Sequence, residues 1–302
     1  MFDIILAYAC LASGIVANKF LLQTMPFDLF IGIRMFVAGL ILLPIALKNS
    51  PRLRFAYLKV DGGAILFITL CTTLIPSLTK AFALQNMLAS KQTLLGSIDP
   101  FVTALYAYFL WNERLSPQKI GGMLLGLCGV IVASIAISPA EQQWGEFLYI
   151  SYPELATLFS VILSRYGWIR VQTMLKGNRY TPTEMNSITM VLSGFTTLLV
   201  SYVRGAQFPA AALVTPWFLM VFIFTIVVGN MLGYNLYSTC LKKYSATWMS
   251  LAGFLVPIFV LLLSKLLGRE ALTLNFFISA ALLFAGLCLF YYDELYGKKL
   301  KA

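Results

Sequence analysis

The chain has 302 residues, of which 60% are hydrophobic and only 11% charged, with a net charge of +10 and no histidine. With a mean hydropathy of +0.83, it lies outside the range of soluble domains. The missing histidine excludes Ser–His–Asp and Cys–His catalysis and His-ligated metals. The cysteines (Cys10, Cys71, Cys128, Cys240, Cys288) form no CxxC pair, so neither metal nor cofactor is expected.

A bilayer crossing takes about 20 mainly apolar residues, and ten candidate spans can be read at 4–22, 27–47, 60–82, 87–110, 118–137, 147–168, 185–203, 213–236, 246–267 and 274–292. The expected class is an all-α integral membrane protein. The first span lacks a basic leader region and is followed at once by a second span, so it reads as a retained helix. Its small residues Ala12, Ser13, Gly14 and Ala17 allow close helix approach, and its polar points are Tyr8, Asn18 and Lys19. Pro26 opens span 2, which carries Arg34 about 10 Å from its outer end at 1.5 Å per residue. Span 3 runs through Thr69, Thr72, Thr73, Pro76 and Ser77 to Lys80, with Pro76 expected to bend it. Span 4 holds Lys91, Gly96, Asp99 and Pro100, and Glu113 follows it. Ser116-Pro117 is a helix start, and Gly122 and Gly126 give span 5 a GxxxG face. Span 6 holds Pro153, Glu154, Arg165 and Trp168; span 8 holds Gly229, Asn230, Gly233, Tyr234 and Asn235. Trp248, Gly253 and Pro257 lie in span 9, and Glu270 follows it.

With the N-terminus inside, the lysines and arginines of 48–59, 114–119, 176–179, 242–243 and the basic tail 294–302 all fall on one side, while 138–146 is acidic. That is the positive-inside bias, and it places both termini in the cytoplasm of a cell (inner) membrane protein. The charge does not imply nucleic acid, since no soluble segment shows a basic stripe with interleaved aromatics.

A repeat organises the chain. A shift of 157 positions (246 − 89) lays Ala89 on Ala246, Gly96 on Gly253, Pro100 on Pro257, Glu113 on Glu270 and Gly129 on Gly286 without a gap. Met25-Pro26 answers Thr181-Pro182 at a shift of 156 (182 − 26), so the repeat reaches back to the start. The units are 1–137 and 147–293. Each has five spans, an odd number, so the second must enter the membrane from the opposite side. An inverted repeat of this kind is common among secondary transporters and suits alternating access.

The pattern small-x6-Gly-x3-Pro-x12-Glu-x-Leu before a Gly-rich helix, present twice, resembles the EamA-type members of the drug/metabolite transporter superfamily. Arg34 also resembles an arginine common in that family. The resemblance implies ten helices, a central cavity lined by spans 1–4 and 6–9, and peripheral spans 5 and 10, through which some members form homodimers. It implies transport of small metabolites. Lys91 and Asp99 stand where sequences of this kind usually have small or apolar residues.

An ionisable residue within the bilayer costs about 2.5–3.5 kcal/mol and normally faces a cavity or a partner. Arg34 and Glu154 fall at similar depth and are expected to pair. Asp99 is expected on the cavity wall, and Lys91 either there or snorkelling to the interface. Tyr8, Asn18, Trp168, Tyr234, Asn235 and Trp248 complete the expected substrate set, with Tyr237 beside them. Gly96, Gly253, Pro100, Pro257, Glu113 and Glu270 are expected to be scaffold or gate, and Lys80 and Lys265 to snorkel. The expected activity is alternating-access transport of a small polar or zwitterionic metabolite, an amino acid or a similar molecule such as S-adenosylmethionine. The alternatives are a carrier of phosphorylated or nucleotide-type metabolites and a channel or scaffold. An enzyme is not expected.

Overall fold

The computed structural model describes residues 2–49, 55–112, 115–135, 139–147, 150–177, 180–208, 215–244, 246–267 and 274–292. Glu113, Glu270 and the tail 294–302 lie outside the described residues. Among the described residues, the secondary structure is helical apart from one small hairpin, in which Glu146–Phe147 (β1) pairs antiparallel with Ile150–Ser151 (β2). Helices α1 (Phe2–Leu21) and α2 (Phe27–Asn49) are followed by α3 (Phe55–Ile68), a π-helical segment Thr69–Leu74 and α4 (Ile75–Asn86). Next come α5 (Ala89–Gly96), α6 (Asp99–Trp111), α7 (Pro117–Ile135) and the single turn α8 (Pro139–Gln142). After the hairpin, α9 (Tyr152–Lys176) and α10 (Pro182–Val203) lead to α11 (Pro216–Phe224), a second π-helical segment Thr225–Leu232 and α12 (Gly233–Lys243). The last helices are α13 (Ala246–Ala252), α14 (Leu255–Leu266) and α15 (Leu274–Phe290).

Among the described residues, seven helices are long and apolar enough to cross a membrane. The expectation was ten. Of the remainder, α9 is long enough at 25 residues but carries Glu154, Arg165 and Arg170, and α14 and α15 are 12 and 17 residues long. Expected boundaries also move, and the span expected at 147–168 is α9 at Tyr152–Lys176. The helix expected to end at 236 runs on to Lys243, because Lys242 and Lys243 fall only in its last turn, where cations suit the helix dipole. The helix expected to end at 82 continues to Asn86.

Local chemistry explains the irregular points. Pro76 has no N–H for the carbonyl four residues back and crowds it. The backbone widens into the π-helical turn just before it, where the hydroxyls of Thr69, Thr72 and Thr73 donate to the carbonyls of Ile65, Ile68 and Thr69 at 2.8, 2.7 and 3.0 Å. The second π-helical segment begins 156 residues later (225 − 69). Expected span 4 is broken at Ser97 and Ile98, with Pro100 in the first turn of α6. Expected span 9 is broken at Gly253 and Phe254. The starts of α9 and α10 are fixed by capping boxes, Ser151 with Glu154 and Thr181 with Glu184.

Two helix pairs frame the bundle. α2 and α10 run antiparallel in close contact, Gly32 against Leu198, Gly39 against Val191 and Gly194 against Phe36. A Cβ on Gly194 would stand 2.3 Å from the Phe36 nitrogen, so only glycine allows this approach. α7 and α15 pack the same way, with Gly122 against the Gly286 carbonyl and the Ser279 hydroxyl donating to the Gly129 carbonyl. The GxxxG face of α7 is therefore spent within the chain. Its opposite face, with Leu124, Ile131 and Ile135, is exposed. That apolar exterior, shared by Phe109, Phe195, Leu199 and Phe284, suits lipid rather than water.

Candidate functional site

The two π-helical segments and the two helix breaks converge on a cavity of about 220 Å³ in the middle of the bundle. Helix α1 lines it with Tyr8, Leu11, Ile15 and Asn18, a single stripe at helical spacing. Ten residues at 1.5 Å each make that wall about 15 Å long. Asn18 and Arg34 mark the end nearer the hairpin, and Tyr8, Trp168 and Tyr237 the opposite end.

At the hairpin end, the Arg34 Nη1 donates to Asn18 Oδ1 at 2.7 Å, and its guanidinium lies 5.0 Å from the Phe30 ring centroid. Asn230, from the second π-helical segment, donates its Nδ2 to the Arg34 carbonyl at 3.4 Å. Further along, Asp99 at the start of α6 and Arg165 of α9 pair at 3.1 Å. Both stand on the wall, as does Lys80. At the far end, Trp168 and Tyr237 meet edge to face at 4.8 Å, Tyr8 stands 6.0 Å from Tyr237, and Tyr234 stands 6.1 Å from Trp168. The Tyr8 hydroxyl donates to the Met249 carbonyl, and the apolar cluster of Ile4, Ile68, Val171, Leu175 and Leu241 packs beyond it.

Arg34 and Glu154 do not form the expected pair. Glu154 is withdrawn into the hairpin region instead. Its Oε2 accepts the Ser151 N–H at 2.6 Å, and its Oε1 lies 2.9 Å from the Lys91 ammonium. Lys91 also donates to Glu141 Oε1 at 2.7 Å. The three side chains are 7%, 1% and 0% exposed for Lys91, Glu141 and Glu154, so Lys91 neither snorkels nor reaches the cavity. Of the other expected substrate residues, Tyr8, Asn18, Arg34, Asp99, Trp168 and Tyr234 stand on the wall, and Lys91, Glu154, Asn235 and Trp248 do not. Asn235 is turned to Asn186 at 3.3 Å and to the Met231 carbonyl at 2.7 Å. Trp248 packs against the far-end apolar cluster. Gly96 and Gly253, expected as scaffold, mark the two helix breaks and line the cavity, whereas Pro100 and Pro257 are buried beside them.

The sequence gives this bundle a family. The model of the EamA-like transporter family matches residues 1–135 and 151–292. The chain belongs to the EamA-like transporter family. The S-adenosylmethionine/S-adenosylhomocysteine transporter of Chlamydia trachomatis (serovar L2) is 26% identical over 270 residues, covering 87% of this chain and 80% of that protein. The protein of the same description from Chlamydia muridarum is 24% identical, covering 87% and 82%. A transporter of Clostridium kluyveri, itself uncharacterised, is 24% identical over 90% of this chain and 86% of its own. A crystal structure superposes with a TM-score of 0.64 at 16% identity, covering 100% of this chain and 97% of that one, which speaks for the fold alone.

This EamA-like transporter is thus a multi-pass membrane protein that moves small metabolites, and not an enzyme. Its wall includes residues that sequence reasoning passed over. Arg165 carried the signal of an arginine deep in a span, whereas Lys80, expected to snorkel from near the end of its span, lines the cavity instead. Asn230 stood beside the glycines of span 8. Glu141 had no signal, because its partnership with Lys91 spans 50 residues and a loop.

Proposed function

We propose that this EamA-like transporter is an alternating-access carrier whose cargo is a zwitterionic metabolite of the S-adenosylmethionine type. The observation that carries the reading is the central cavity, where Arg34, Lys80 and Arg165 face the same space as Asp99 and five aromatic side chains. A carboxylate, a cation and a flat base each find complementary chemistry there. The chlamydial relatives named for S-adenosylmethionine and S-adenosylhomocysteine support the choice of cargo.

The proposed architecture is ten crossings in two inverted five-helix repeats, 1–137 and 147–293, with both termini and the basic tail cytoplasmic in the cell (inner) membrane. Recurrence of the π-helical segment at a spacing of 156 residues supports the repeat, as do the breaks beside Gly96 and Gly253. Helices broken near the membrane centre are where such carriers bind cargo. Tyr8, Asn18, Arg34, Asp99, Trp168 and Tyr234 are the proposed contacts. Lys91, Glu154, Asn235 and Trp248 are proposed to brace the wall from behind, and Gly96, Gly253, Pro100, Pro257, Glu113 and Glu270 to serve as scaffold or gate. A homodimer through α7 and α15 would use their outer faces, since the glycine stripe of α7 is occupied.

The excess of cations on the wall favours a second reading, a carrier of phosphate esters. Liposomes carrying the purified protein distinguish them. Uptake of labelled S-adenosylmethionine, accelerated several-fold by S-adenosylhomocysteine inside, is expected of the carrier. Uptake unaffected by internal substrate indicates a pore, and uptake of sugar phosphates alone overturns the proposed cargo.

A further inference from the structure

Among the buried polar atoms of the described cavity-wall residues that lack a hydrogen-bond partner are the Nε–H of Arg34 and the Oδ1 of Asn230. Arg34 and Asn230 are 5% and 1% exposed. Such groups are costly to bury unmade, and each marks a place where a partner is missing. They are adjacent, because the Asn230 amide nitrogen donates to the Arg34 backbone carbonyl at 3.4 Å. That bond also fixes the amide: the nitrogen faces a carbonyl acceptor, so the unmet atom is the oxygen. The vacancies are complementary. One is a cationic donor and the other a neutral acceptor, on neighbouring residues of one cavity wall.

We infer that Arg34 and Asn230 form the subsite for the α-amino-acid end of the cargo, Arg34 Nε–H donating to the α-carboxylate and Asn230 Oδ1 accepting from the α-ammonium. This rests on the proposed function and gives it a direction. Asn18 holds the guanidinium by its Nη1 at 2.7 Å, leaving the Nε edge for the carboxylate, and Phe30 supports the guanidinium at 5.0 Å from its ring centroid. The aromatic cluster of Tyr8, Trp168 and Tyr237 lies about 15 Å along α1 from Asn18, the length of an extended aminoacyl nucleoside. A nucleoside base therefore falls at the far end, and the cargo lies along the cavity rather than across it.

The subsite predicts what the carrier rejects. A hydrogen bond to a charged group is worth about ten- to a hundredfold in affinity. Competition against labelled S-adenosylmethionine is measured in liposomes with decarboxylated S-adenosylmethionine, which keeps the amine and sulfonium, and with 5′-methylthioadenosine, which lacks the whole amino-acid end. The wild type is expected to bind both at least about tenfold more weakly than S-adenosylmethionine. Arg34→Gln is expected to bring decarboxylated and intact S-adenosylmethionine to within about twofold of each other, and Asn230→Leu to weaken S-adenosylmethionine while leaving 5′-methylthioadenosine unchanged. Each ratio is taken within one preparation, so a reduced folded fraction does not alter it. Full discrimination by Arg34→Gln, or none by the wild type, overturns the subsite. If methionine is carried with the same dependence on Arg34 and S-adenosylmethionine is not, the subsite stands and the proposed cargo falls. If no α-amino acid competes, both fall.

Discussion

Lys91 is the best place to test how the bundle is held together. Its ammonium stands between Glu141 at 2.7 Å and Glu154 at 2.9 Å, and the three side chains are almost fully buried. Replacing Lys91 by Met keeps the length and apolar stem but leaves two carboxylates without that cation. Removing one partner of a buried ion pair typically costs about 3–5 kcal/mol, since the remaining charge stays desolvated. In a chain of this size, each kcal/mol corresponds to about 2 °C in the midpoint of thermal unfolding, so the loss is about 6–10 °C. The assay is the fraction of detergent-purified protein that remains monodisperse after heating. Glu141→Gln is the control: Lys91 keeps Glu154, and Glu154 keeps its capping bond to Ser151, so less than half of that loss is expected. Lys91→Met within about 1 °C of wild type would falsify the argument. Equal losses in Lys91→Met and Glu141→Gln would show that Glu141 is not simply a second partner.

Three further expectations follow from the wall and the frame. Asp99→Asn removes the carboxylate 3.1 Å from Arg165, and transport is expected to fall by about tenfold or more; a variant with wild-type rates would remove Asp99 from the binding surface. Gly194→Leu places side-chain atoms where a Cβ alone would be 2.3 Å from the Phe36 nitrogen, so α2 and α10 must part and the yield of monodisperse protein should collapse. Gly62→Ala is its counterpart, since a Cβ there meets nothing within 4 Å, and it should be tolerated or slightly stabilising, by up to about 1 kcal/mol.

Much of the fold was readable because it rests on periodic or local signals. Composition alone declares the membrane class, and Thr181-Pro182 announces the start of α10, whereas the sequence reads the start of α9 at 147 and its cap is Ser151. The glycines of α7 announce a close helix partner. Which partner they meet was not readable, since a GxxxG face suits a second copy of the chain as well as Gly286 of the same one. The cavity was harder for a similar reason. Depth along a helix follows from counting residues, but the direction a side chain points depends on how helices are rotated against one another. Arg34 and Glu154 share a depth and still do not meet, because Glu154 serves the first turn of α9 and the Lys91 ammonium. The helix breaks were hidden too, since Ser97 and Ile98 look like any other residues of an apolar run.

The places where the two copies disagree now separate into different kinds. At the shift of 157, Asp99 corresponds to Val256 and Lys91 to Trp248. Asp99 and Val256 both face the cavity, just past the break in their respective spans. A carboxylate on one side and an isopropyl group on the other make the cavity chemically asymmetric. A cargo with one charged and one flat end requires that asymmetry, and a two-fold-symmetric wall would not orient it. Lys91 and Trp248 both stand away from the cavity, and they hold opposite ends of the bundle by different means. Lys91 joins α5 to the hairpin region by charge, whereas Trp248 packs into an apolar cluster beyond Tyr8. Parting the first end means exposing ions that water solvates well, and parting the second means exposing aromatic surface that water does not. Under the proposed alternating access, the two ends therefore differ in what opposes their opening. Raised salt should weaken the hairpin end selectively, because solvated ions compete with Lys91 for its carboxylates once that end begins to open.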